Sequence, residues 1–93
     1  MLGYFQIEIY IPTALSLKDK RFVILSLKDK VKKKFNVSIA ELNGGDLWQR
    51  STIGMAMVSN DQNLIKNCFD KIMRMLDQDD RFELIERKIE FYN

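Results

Sequence analysis

Leu47-Trp48-Gln49-Arg50-Ser51-Thr52-Ile53-Gly54-Met55-Ala56-Met57-Val58-Ser59 is the stretch on which the fold turns. It holds the single tryptophan, with an arginine two residues on. From Ile53 to Met57 the residues alternate in size, the period of two that belongs to a strand. Placed as a central strand, it gives every flanking segment a role. Those before it build a sheet beside it, and those after it close that sheet.

Residues 3–11 alternate too, with Phe5, Ile7, Ile9 and Ile11 on one side and Tyr4, Gln6, Glu8 and Tyr10 on the other. This is a half-buried strand, and Pro12 ends it because proline has no ladder donor. Ser16 is a helix cap, with Asp19 three residues on in the place of a capping-box acid. Leu17, Ile24, Leu27, Val31 and Phe35 recur at helical spacing, and Phe22, Val23 and Leu25 are expected to widen that stripe. Val37–Leu42 reads as a second strand, and Asn43-Gly44-Gly45-Asp46 as a turn. After the central strand, Asn60 or Asp61 caps a second helix with an apolar stripe of Leu64, Ile65, Cys68, Phe69, Ile72, Met75 and Leu76. Asp77–Asp80 ends it. A last strand runs from Phe82 to Phe91, with Ile85, Ile89 and Phe91 on the core side and Leu84, Glu86, Lys88, Glu90 and Tyr92 opposite.

The order is β-α-β-β-α-β. An α+β ferredoxin-like sandwich satisfies it: one domain over 1–93, with a four-stranded antiparallel sheet and two helices on one face. Right-handed crossovers place the third strand between the first and second. The helix-free face then carries Tyr4, Gln6, Glu8, Tyr10, Trp48, Arg50, Gly54 and Ala56, and a bulge would invert part of this assignment.

Composition excludes several functions. Histidine is absent and cysteine occurs once, which removes the commonest general base, the Cys-rich zinc sites and any internal disulfide. No phosphate-binding or dinucleotide motif is present. The chain is expected to be non-enzymatic, without cofactor or metal. No apolar run reaches the ~20 residues that cross a bilayer, and a signal peptide is not expected, because Met1-Leu2-Gly3-Tyr4-Phe5-Gln6 lacks its basic start and apolar core. A cytoplasmic protein without a membrane partner is expected. Net charge is only +2, but residues 18–34 carry eight basic side chains against two acidic, while the rest carries seven against eleven. A +6 segment on a −4 body points to an anionic partner, with RNA the usual candidate.

In this topology the start of the first helix and the start of the central strand share one end of the sheet. Lys18, Lys20 and Arg21 are thereby grouped with Tyr10, Trp48, Gln49 and Arg50 as the candidate partner-binding residues. Trp48 can stack on a base and Arg50 can grip a phosphate, with Tyr10 beside it across the sheet. The plainer reading pairs Arg50 with Glu8 or Glu41, leaves the lysines on a solvated face, and has Asp77, Asp79 and Asp80 offset the positive helix start. Stacking at mid-sheet, as RNA-recognition domains do it, is not expected, because Gly54 and Ala56 stand there. Those two small residues with Tyr4 are instead the candidate homodimer face. A hydrolase of the acylphosphatase kind needs a glycine-rich phosphate loop, where this chain has Pro12-Thr13-Ala14-Leu15.

S-L-K-D-K-R at 16–21, F-N-V-S at 35–38, Glu41, D-L-W-Q-R at 46–50 and V-S at 58–59 together resemble the YlxP-like family of small bacterial proteins. The likeness covers nearly the whole chain. It implies the same ferredoxin-like fold, no established catalytic residues, and a link to translation and ribosome maturation through neighbouring genes. RNA or a ribosomal subunit, and a second copy of the chain, are therefore the candidate partners.

Overall fold

The computed structural model of the chain describes residues 1–43 and 47–93, so Gly44, Gly45 and Asp46 of the expected turn lie outside the described residues. Six elements follow in the order β1 (Leu2–Tyr10), α1 (Leu17–Lys34), β2 (Ser38–Asn43), β3 (Arg50–Val58), α2 (Gln62–Asp77) and β4 (Glu83–Tyr92). The strands form one antiparallel sheet in the order β2-β3-β1-β4. This is the expected ferredoxin-like arrangement, with β3 inside the sheet between β1 and β2.

The core follows from side-chain period. Phe5, Ile7 and Ile9 of β1 are fully buried, and Phe5 and Ile7 lie opposite Met55 and Ile53 of β3. From α2, Ile65, Phe69, Ile72, Met73 and Leu76 close over β1 and β4. The Phe69 ring stacks on Phe5 at 4.9 Å between centroids. At Gly3 helix and strand meet closely enough that an added Cβ would collide with Ile65 Cγ2. Cys68 sits half-buried on the flank of this helix. Burial pushes its thiol pKa up, opposed in part by the Lys71 charge.

α1 covers β2 through Lys20, Ile24, Leu27 and Val31, which recur every three or four residues. Phe22 and Leu25 do not join this stripe. At about 100° per residue they fall on the far side of the helix, and they are 70% and 60% exposed.

Two bulges correct the strand reading. On β4, Glu86 pairs with Glu8 but Leu84 pairs with Ile9, which makes Ile85 the extra residue. Past a bulge the faces swap. Leu84 therefore packs against the core and Ile85 is 40% exposed, the reverse of the expectation. On β2, Glu41 pairs with Ile53 and Asn43 with Thr52, so Leu42 is the extra residue. Ahead of β4, Asp79 is held by Arg81 and by Lys30 of α1, and Arg81 Nη2 also donates to Ser26 Oγ at 3.1 Å. Asp79 thus ties β4 to the middle of α1 and does not offset the positive charge at the helix start. The Arg81 hydrogen bonds, first among several causes, lower its carboxyl pKa to about 2.

Candidate nucleic-acid interface

The site is built on the segment that leads into β3. Local chemistry first fixes the start of α1. Ser16 is extended, and its Oγ accepts the Asp19 N–H at 3.2 Å. Asp19 Oδ2 in turn accepts the Leu15 N–H at 3.0 Å, one residue further back than a standard capping box. This geometry carries Lys18 and Arg21 outward and Lys20 inward.

Lys20 is 2% exposed. Its Nζ donates to Leu47 O at 2.8 Å and lies 3.1 Å from Glu41 Oε2. Ser51 Oγ donates to the same carboxylate oxygen at 2.6 Å. Glu41 and Ser51 face the helix layer from β2 and β3, so one amine joins three elements at the end of the core. Lys20 is thereby withdrawn from any binding surface. Its helical phase with Ile24, Leu27 and Val31 is the cause, and the same phase was visible in the sequence.

Gln49 supplies the second anchor. Its Nε2 donates to Pro12 O at 3.3 Å and to Ala14 O at 3.4 Å, and its own carbonyl accepts the Ile11 N–H at 2.7 Å. Gln49 is thus a clamp more than a contact. Between these two fixed residues stands Trp48. It does not belong to β3, which begins at Arg50. Its ring is 49% exposed at the end of the helix-free face.

Arg50 lies directly opposite Tyr10 across β1 and β3, and its Nε is 3.8 Å from Glu8 Oε1. That is a long ion pair between half-exposed side chains, worth less than about 1 kcal/mol. Tyr10, Leu47, Trp48, Gln49 and Arg50 line a shallow cleft of about 360 Å³ with largely apolar walls. Lys18 and Arg21 stand exposed on the first turns of α1, the helix whose Lys20 holds Leu47. Of the seven expected binding residues, the structure puts four in one cleft, two exposed on that helix start, and one behind it.

The candidate dimer residues fare differently. Gly54 is buried on the helix-free face, because the Leu42 side chain displaced by its bulge and the Tyr4 hydroxyl lie over it. The Tyr4 hydroxyl itself donates to Gln6 Oε1 at 2.6 Å. Gly54 is therefore not a bare spot against which a second sheet could settle. Ala56 is half-buried beside it.

Sequence reasoning missed Glu41 as the partner of Lys20, Ser51 as a donor to that carboxylate, and Leu47 as a wall of the cleft. Strand parity carried a signal for the first two, since both fall on the core side, where a lone carboxylate needs a cation.

A family model described as a protein of unknown function, DUF503, matches residues 2–89. The chain belongs to the DUF503 family. It is 37% identical over 89 residues to the uncharacterized protein YlxP of Bacillus subtilis (strain 168), covering 96% of this chain and 94% of that relative. The resemblance seen in the motifs is thereby a family membership. Among solved structures, the de novo designed protein Foldit4 covers 100% of both chains at a TM-score of 0.62 and 17% identity, a likeness of fold alone. Among the described residues no helix is long and apolar enough to cross a membrane.

Proposed function

We propose that this DUF503 protein is a non-catalytic, cytoplasmic accessory factor that binds RNA, in the setting of translation or ribosomal-subunit maturation. One observation carries the reading. A buried lysine holds the Leu47 carbonyl and Gln49 clamps the Pro12–Ala14 backbone, while Trp48 between Leu47 and Gln49 stays half exposed beside Arg50. An aromatic face with a guanidinium at its side suits an unstacked base and its phosphate. Lys18 and Arg21 add a salt-sensitive phosphate contact. Among the described residues, no side chain lining the cleft is a carboxylate, thiol or amine, which supports binding without catalysis.

The single tryptophan makes the test direct. Titration with a uridine-rich single-stranded oligonucleotide quenches Trp48 fluorescence, and the affinity falls steeply with salt. Trp48→Ala weakens binding by ~1–3 kcal/mol, read by anisotropy of labelled RNA. Arg50→Glu also abolishes co-sedimentation with ribosomal subunits. Unquenched Trp48 at low salt and saturating RNA overturns the proposal.

A second reading, homodimerisation through the helix-free face, has one specific observation behind it. At the end away from the cleft, Val58, Leu2 and Tyr92 lie side by side across β3, β1 and β4 and are 77%, 38% and 49% exposed. The dimer contact would lie there, with Tyr4 and Ala56 at its margin. Light scattering at high concentration decides it, since a strict monomer removes the reading.

A further inference from the structure

The two helices lie in one layer, and their outward faces differ in kind. On α2 the outward residues Lys66, Asn67, Asp70 and Arg74 are polar or charged and exposed. This is what a solvated helix face requires. On α1 the outward line runs Lys18, Phe22, Leu25, Asp29 and Lys33, and all five are exposed. Phe22 stands on the crest, opposite the buried Leu27 and Val31. Phe22, Leu25, Ser26, Asp29, Lys30 and Lys33 line a groove of about 410 Å³ along the helix. Phe22 and Leu25 contribute nothing to the core described above, and together they form an apolar pair rimmed by charge, the pattern of a contact surface.

We infer that this face of α1 docks an acidic amphipathic helix of a partner protein, separately from the RNA cleft. Spacing supplies the first argument. Residues 18, 22, 25, 29 and 33 follow the three-and-four repeat by which one helix meets another, with Phe22 and Leu25 as the anchors. Charge supplies the second. Lys18, Arg21, Lys28, Lys32 and Lys33 surround the anchors and call for carboxylates opposite. A second copy of this chain presenting its own α1 would set lysine against lysine, which rules out that pairing. Asp29 decides between the remaining anionic occupants. It lies on the outward line itself, between Leu25 and Lys33. A phosphate backbone or an anionic lipid surface meets it as a repulsion, whereas a peptide helix can place one lysine there.

The test uses the full chain and a synthetic helical peptide about 18 residues long, the length of α1. The peptide carries leucines at three-and-four spacing, glutamates on their flanks and one lysine in register with Asp29. A peptide of the same composition in scrambled order is the control. Amide chemical shifts of the labelled protein are followed by NMR. We expect saturable shifts along residues 18–33 of α1 with the patterned peptide and none with the scrambled one. Phe22→Ser with Leu25→Ser weakens binding by ~10-fold or more while the melting temperature stays within a few degrees. RNA quenching of Trp48 persists in that variant, which keeps this result distinct from the RNA proposal. Absence of shifts on α1 at millimolar peptide overturns the inference. Equal shifts at residues 22–33, beyond the Lys18 and Arg21 contacts of the RNA reading, with the scrambled peptide, with a uridine-rich oligonucleotide, or with phosphatidylserine vesicles overturn it too.

Discussion

Replacing Lys20 by methionine separates two accounts of the same residue. As a surface cation it would contribute to partner binding and nothing to stability. As the buried tie between α1, β2 and the segment before β3, it would do the reverse first. Removing one partner of a fully buried pair costs about 3–5 kcal/mol. Here Glu41 keeps 29% of its side chain in contact with solvent, so it is partly rehydrated when the amine goes. Leu47 O also loses its 2.8 Å donor, at about 1 kcal/mol for a neutral acceptor near the surface. Methionine retains most of the apolar stem and avoids a cavity. The sum is ~2–3 kcal/mol, or a fall of roughly 10–20 °C in melting temperature for a domain of this size. Urea unfolding followed by far-UV circular dichroism reads it directly. Glu41→Gln in the same background should cost far less than it does alone, because the pair is already broken. Lys18→Met is the matched control and should shift stability by less than about 0.5 kcal/mol. RNA affinity in Lys20→Met should fall as well, through loosening of residues 47–49. A melting temperature unchanged in Lys20→Met would refute the reasoning, and with it the anchored site.

Because the Arg81 hydrogen bonds lower the Asp79 pKa to about 2, the stabilisation from this carboxylate is complete above about pH 4 and is lost as pH falls through 2. Its size is on the order of 1 kcal/mol once solvent screening is allowed for, and it should vanish from the acid-unfolding curve of Asp79→Asn. Gly54→Val should destabilise by ~1–3 kcal/mol in thermal melts, since a Cβ there would lie 2.7 Å from Leu42 Cδ1, and Leu42→Ala should relieve most of that cost. Gly3→Ala should be comparably destabilising, with no such relief available because Ile65 is packed in the core. With its pKa raised by burial, Cys68 should react with a disulfide reagent near pH 8 more slowly than a free thiol does, and denaturant should remove the difference.

Element order and sheet order were legible because period is a strong signal. The alternation of Phe5, Ile7 and Ile9, and the helical return of Ile24, Leu27 and Val31, leave few topologies open. What was not legible depends on single-residue irregularities. A bulge at Ile85 changes no pattern in the sequence, yet it exchanges the faces of Leu84 and Ile85. The bulge at Leu42 is similar in kind, and its effect was to cover Gly54, which had read as bare. Phe22 and Leu25 were assigned to the core by hydrophobicity when helical phase places them outside. There composition was weighed above geometry, although the geometry was available.

Three of the misreadings fall together. Leu42 as the extra residue, Lys20 turned inward to Glu41, and Trp48 left off the strand all fall around the passage from β2 to β3. In that passage three irregularities sit close together. The chain buries a charge, breaks a strand register and leaves its largest aromatic ring half in solvent. In the RNA-binding reading proposed above, these departures serve the position of Trp48, and Lys20 is the link. An apolar residue there would complete the stripe of Ile24, Leu27 and Val31 but would leave Glu41 and the Leu47 carbonyl without their donor. The amine instead holds the carbonyl of Leu47, the residue before Trp48, so part of the stability of the core is committed to the position of one exposed ring.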